Sequence, residues 1–158
     1  MALKSAITKA KSLALIPLLG ASFLLLSGYI TAAEDGRPDL AVSGFWAGWD
    51  GRPGESIDFA FSVENIGDGA SGSCYYGIYI SSGAYWVGTR LADGTVYALE
   101  PGESDSISGT AYLPSDIEPG YYYLYAVADD GEYEDDADRS NNVTYQNFEV
   151  LSPDITGR

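Results

Sequence analysis

The chain has 158 residues, 46% hydrophobic and 13% aromatic, with 23 acidic side chains against eight basic ones, no histidine and a net charge of −15. That length suits one domain with a modest core, and so acidic a surface repels phosphate backbones and anionic membranes, which argues against nucleic-acid binding. The absence of histidine removes the commonest general base, the usual partner of a serine or cysteine nucleophile, and a principal zinc ligand.

Lys4, Lys9 and Lys11 precede an apolar run from Leu13 to Ile30, which ends on small residues at Thr31 and Ala33. This is the order of a secretory signal peptide, and residues 1–33 are assigned to one. The run approaches the length of a membrane span, although Pro17, Gly20 and Gly28 interrupt it, so a retained anchor stays open. Export is expected in either case, to the cell surface, the periplasm or the medium, with no membrane contact beyond this segment. Because all three lysines leave with it, the remainder carries five arginines against 23 acidic residues, a balance of −18.

From residue 34 onward no segment combines a helical apolar period with caps, while short alternating runs between turn residues recur. "PDLAVSGFWAG" opens as a strand, and Pro38 suits its start or an edge. "SIDFAFSVENIG" is the cleanest, with Ile57, Phe59, Phe61 and Val63 on one face. In "CYYGIYISS" the parity that buries Ile78 and Ile80 turns Cys74 and Tyr76 inward, so the single cysteine is expected to be shielded. "AYWVGTRLADGTVYALEPGES" supplies one or two short strands around a turn signal at Asp93-Gly94. "SDSISGTAYLP" and "GYYYLYAVAD" follow, separated by the turn "SDIEPG". In the last strand, "NNVTYQNFEVL", Val143 and Tyr145 share one parity while Phe148 and Val150 share the other, so a β-bulge is expected near Gln146 or Asn147. About seven strands with regularly spaced turns predict an all-β, immunoglobulin-like sandwich over residues 34–151, with a polar tail at 152–158.

The order of these signals resembles the CARDB family, the cell-adhesion-related domain of bacterial and archaeal surface proteins. The matching stretches are "PDLAVSGFW", "GESIDFAFSVENIGDGAS", "LEPGES", "PGYYYLYAVADDGEYEDDADRSNN" and a final "FEV", which together run from Pro38 to Val150. The resemblance implies a β-sandwich used as an interaction or spacer module.

Between the last two strands lies "DDGEYEDDADRSNN". Carboxylates and asparagine carbonyls are the hard oxygen donors that calcium takes, so Asp129, Asp130, Glu132, Asp136, Asp138 and Asn141 form a candidate calcium set. The order of residues is not that of an EF-hand loop. The same residues also suit a hairpin connection in which Asp129, Asn141 and Asn142 bond nearby backbone groups, with Glu134 and Asp135 facing solvent. Both readings stay open on the sequence.

Thirteen tyrosines exceed what a small core needs. If Tyr122 and Leu124 point inward, Tyr121, Tyr123 and Tyr125 form an outward stripe suited to protein or carbohydrate contacts, or to cross-strand pairing within the sheet. Trp46, Trp49 and Trp86, in loop or edge positions, are further candidates. The expected function is therefore a non-catalytic binding or structural module at the cell surface. Its partners would be a surface protein, a polysaccharide or a second copy of the chain. The alternative from another class is a glycan hydrolase built on two carboxylates.

Overall fold

The computed structural model describes residues 36–83 and 88–153. The expected export segment at residues 1–33, Trp86 and the end of the polar tail lie outside these residues. Among the described residues no helix is long and apolar enough to cross a membrane.

Eight strands form two facing sheets: β1 (Leu40–Ala47), β2 (Asp50–Gly51), β3 (Ser56–Asn65), β4 (Cys74–Ser81), β5 (Thr89–Val96), β6 (Ser104–Tyr112), β7 (Gly120–Ala128) and β8 (Val143–Val150). One sheet has the order β1-β3-β6, the other β2-β8-β7-β4-β5. All pairings are antiparallel except the short parallel contact of β2 with β8. Strand alternation decides which side chains the two sheets share. Ile57, Phe59, Phe61 and Val63 all point inward from β3, and each contributes about 1.5–3 kcal/mol relative to an exposed position. Cys74, Ile78 and Ile80 of β4 face them, as the parity requires. Tyr76 crosses the gap, its ring 5.3 Å from that of Phe61 and 6.2 Å from that of Phe59. Leu124, Ala126 and Phe148 fill the core from β7 and β8.

Two expectations are corrected. Asp93-Gly94 does not turn the chain: β5 runs straight through, with Asp93 opposite Gly77 and Gly94 opposite Tyr76. The glycine serves close approach, since a Cβ at Gly94 would lie 2.6 Å from the inward-leaning Tyr76 side chain. Likewise β8 carries no bulge. Its register with β7 is continuous from Gly120↔Val150 to Val127↔Val143. Register shifts lie instead between β4 and β5, where Ile78 pairs with Ala92 and Tyr79 with Arg90, and in β1, between Ser43 and Trp46, where Gly44 takes a φ of +63°. The polar inward residue Gln146 answers the shift in β1: its Oε1 accepts the Ala47 N–H at 2.9 Å, and its Nε2 donates to the carbonyls of Ala47 and Gly48 at 3.1 and 3.0 Å. What looked like broken alternation in β8 is thus a polar side chain satisfying the backbone where β1 leaves its own sheet.

Asn65, at the end of β3, is wholly buried. Its Oδ1 accepts the N–H groups of Asp39 and Gly67, both at 3.1 Å, while Nδ2 donates to the carbonyls of Gly69 and Leu99 at 2.7 and 2.9 Å. One amide thereby fastens the start of β1 and the β3–β4 and β5–β6 connections.

Candidate functional site

The acidic connection between β7 and β8 folds back onto the sandwich instead of standing in solvent. Asp129 begins it with a φ of +47°, a region aspartate tolerates better than most residues, and its carbonyl accepts the Glu132 N–H at 2.8 Å. Its side chain is 1% exposed. Oδ1 accepts the Tyr133 N–H at 2.9 Å, and Oδ2 accepts the Glu134 N–H at 3.0 Å and Arg139 Nη1 at 2.9 Å. Arg139 Nη2 donates to the Glu134 carbonyl as well.

Asp136 is the second buried anchor. Its Oδ2 accepts the Leu40 N–H at 2.9 Å and Asn142 Nδ2 at 3.1 Å, and Oδ1 accepts the Asp138 N–H at 3.0 Å. Asp138 Oδ1 takes the N–H and hydroxyl of Ser140, which hold its carboxyl below the usual range. Asn141 Nδ2 donates to Asp39 Oδ1 at 2.7 Å, and the Asn141 carbonyl accepts the Val42 N–H at 2.9 Å. Outside these, Arg37 bonds the carboxylate of Asp135 and the carbonyls of Asp135 and Asp136. Glu134, expected in solvent, is half-buried and accepts the Gly72 N–H at 2.9 Å. The loop is therefore tied to β1 and to the β3–β4 connection by its own acids.

The six residues of the candidate calcium set do not converge. Asp129 turns to Arg139, Asp136 to β1 and Asn142, and Asp138 to Ser140. Asp130 turns to the opposite side, where both its oxygens accept the Tyr79 hydroxyl at 2.7 Å and Arg90 Nη1 approaches to 3.5 Å. Burial, then this bond to Asp130, pushes Tyr79 up to about 12. Glu132 is exposed at the loop tip. Among the described residues no three His, Cys, Asp or Glu side chains gather as a group able to hold a metal ion. The donor set as folded does not fit a calcium ion, because the buried carboxylates already accept protein N–H groups and a guanidinium.

Cys74 lies beneath this loop, 1% exposed and without a disulfide. Burial, reinforced by the charge of Asp129, pushes its thiol up to about 12, so it stays protonated and weakly nucleophilic at neutral pH.

The second candidate region is the outer face of the five-stranded sheet. Strand register sets Tyr145, Tyr125 and Tyr79 side by side on β8, β7 and β4, with Asn147, Tyr123 and Ser81 in the next row and Glu149 beside Tyr121 beyond it. The rings of Tyr123, Tyr125 and Tyr145 lie 5.5–6.3 Å apart, and Tyr75 of β4 meets Tyr133 of the acidic loop edge-on at 6.1 Å. Seven tyrosines thus occupy this side. The predicted stripe is only partly open. Tyr121 is 81% exposed and Tyr123 intermediate, but Tyr125 is 3% exposed, roofed by Tyr123 and Tyr145, with its hydroxyl donating to the Gly83 carbonyl at 3.1 Å. A central strand's outward residue is covered when its neighbours are equally large. Sequence reasoning missed Tyr145, Tyr75, Tyr79 and Tyr133, whose place depends on register. Trp46 and Trp49 are 52% and 68% exposed: Trp46 stands on β1 opposite Ala60 in the other sheet, while Trp49 lies in the β1–β2 turn, its carbonyl accepting the Glu149 N–H of β8 at 3.0 Å.

The CARDB family model matches residues 37–146. No curated protein matches the chain. Among solved structures, the chain is similar to the CARDB domain of a Pyrococcus furiosus protein in complex with di-metal ions, at 23% identity and TM-score 0.56, covering 73% of this chain and 90% of that one. It is also similar to the 272–376 domain of a Methanosarcina acetivorans protein named as a cell surface protein, at 19% identity and TM-score 0.55, covering 77% and 99%. A likeness to β-glucosidase 3B of Thermotoga neapolitana, at 19% identity and TM-score 0.50, covers 73% of this chain but 16% of the enzyme, and speaks to fold alone. With the two-sheet sandwich and the match over most of its length, the chain belongs to the CARDB family.

Proposed function

We propose that the protein is an exported, non-catalytic surface module that binds another molecule of the cell envelope through the tyrosine face of its five-stranded sheet. The observation that carries this reading is the seven-tyrosine face, on which Tyr75, Tyr121, Tyr133 and Tyr145 all stay exposed while their neighbours are locked beneath them. Tyrosine rings offer large contact area at small entropic cost, and a pre-packed cluster loses little further freedom on binding. The M. acetivorans relative supports a place at the cell surface.

Catalysis has little to work with. A glycan hydrolase needs two carboxylates facing a substrate across several ångströms, whereas the buried Asp129 and Asp136 are taken up by backbone N–H groups and Arg139. For the same reason the metal ions of the P. furiosus domain do not enter this reading.

Retention of the purified protein on isolated envelopes of the producing cells tests the proposal. Replacing both Tyr121 and Tyr145 by serine should lower the melting temperature by only a few degrees, because Tyr121 is 81% exposed and the loss is confined to the contacts of Tyr145 with Tyr123 and Tyr125. Binding should weaken by at least about 30-fold if they act as anchoring aromatics worth ~2 kcal/mol. Unchanged retention by this variant contradicts the assignment.

A further inference from the structure

At the β7 end of the tyrosine face lies a groove of about 480 Å³ lined by Ser82, Tyr121, Tyr122, Tyr123 and Asn147. Among the described residues that line it, every side chain carries a neutral hydrogen-bonding group and none is aliphatic or charged. That composition joins aromatic surface to groups that both donate and accept hydrogen bonds, the two features a sugar ring presents in turn. We infer that this groove takes a segment of a neutral polysaccharide. The inference rests on the tyrosine face being the binding surface and adds the class of ligand.

The chemistry follows from the two parts of a sugar ring. One face of a pyranose is a patch of C–H groups, which packs against an aromatic ring, and its rim carries hydroxyls that both donate and accept. Tyr121, with nearly all of its ring in solvent, and Tyr123 beside it supply the aromatic surface. Asn147 pairs with Tyr123 across the β7–β8 ladder, so its amide stands at the edge of that ring, where it can donate to one hydroxyl and accept from the next. The Ser82 hydroxyl lines the groove from the β4–β5 connection. The groove size falls within the range of small-ligand sites.

Charge selects among polysaccharides. Glu149 is exposed and stands next to Tyr121 on β8, and beyond the export segment acids outnumber arginines by 23 to five. A polymer bearing uronate, phosphate or sulfate would meet a repulsive field at this end of the sheet. A neutral chain meets none.

Envelope retention separates this inference from the reading beneath it. Envelopes are treated either with protease or with periodate, which cleaves the vicinal diols of sugars, and soluble neutral polysaccharides (a β-glucan, a mannan and a galactan) are added as competitors against polygalacturonate. The expected result is retention that survives protease, is lost after periodate, and is competed by at least one neutral polymer but not by polygalacturonate. Asn147→Ala should weaken it by about tenfold, the worth of one or two hydrogen bonds. Retention that is abolished by protease and indifferent to periodate overturns the polysaccharide while leaving the tyrosine face standing, provided Tyr121→Ser/Tyr145→Ser still abolishes it. Retention indifferent to those two substitutions overturns both.

Discussion

Replacing Arg139 by methionine is expected to lower the melting temperature by about 10 °C, a loss of ~2–3 kcal/mol in a domain of this size, and calcium is expected not to restore it. The Asp129 carboxylate is out of solvent and accepts two backbone N–H groups besides the guanidinium. Removing one partner of a buried ion pair leaves the other charge desolvated and costs about 3–5 kcal/mol; the figure is reduced here because the Arg139 side chain is 36% exposed, where water replaces part of the lost interaction. Methionine keeps the apolar stem, so the loss reports the charge and its hydrogen bonds. Lysine should recover only part of it, since one ammonium cannot reproduce the fork that spans Asp129 and the Glu134 carbonyl. Thermal unfolding of the three proteins, each with calcium and with chelator, measures this. A rise of many degrees with calcium in the wild type would show that the acids regroup around the ion.

Asn65→Ala is expected to be costlier, at ~3–4 kcal/mol. The substitution strands the N–H groups of Asp39 and Gly67 and the carbonyl of Gly69, at a residue with no exposure at all, while the Leu99 carbonyl keeps the Ser71 N–H at 2.9 Å. Each unsatisfied buried group costs about 1–3 kcal/mol, and relaxation or an entering water recovers some of the sum. Against a typical total stability of about 5–15 kcal/mol, the variant should unfold at a markedly lower denaturant midpoint with an unchanged slope. A midpoint shift equivalent to less than about 1 kcal/mol, no more than one ordinary hydrogen bond, would mean the three connections are held by something else.

Much of the fold was legible because alternation is a local property. The inward sets of β3 and β4, the burial of Cys74 and the inward turn of Tyr122 and Leu124 all follow from period-two patterning against a two-sided sandwich. Errors arose where a residue's role depends on its neighbour across the sheet. Gly94 resembles a turn residue until Tyr76 stands opposite it. Gln146 breaks a hydrophobic pattern until the end of β1 arrives to use it. Tyr125 belongs to the outward parity yet is buried, because register sets Tyr145 against it across the ladder and Tyr123 leans over it from the same strand.

The acidic run shows the same limit in its chemistry. Carboxylates in a loop suit a cation equally well whether it is an ion or an arginine, and only the folded chain brings Arg139 back onto Asp129 ten residues earlier. Asp136 reads as a calcium donor and Asn141 as a turn former, but Asp136 bonds Leu40 of β1 and Asn141 bonds Asp39 just before it, each about a hundred residues away. Asn65 gave no signal at all. A buried asparagine in a strand ending looks like any loop residue until its four bonds are seen.

The central claim is that this domain binds through its tyrosine face while the acidic loop serves as internal scaffolding. Hydrogen–deuterium exchange of the protein, free and bound to isolated envelopes, tests it most directly. New protection is predicted over residues 121–125 and 145–149 and around Tyr133, with residues 134–142 of the loop unchanged and already slow at the N–H groups held by Asp129 and Asp136. Protection that gathers on residues 134–142 and leaves β7 and β8 unaltered would contradict it and return the acidic carboxylates to the role of binding site.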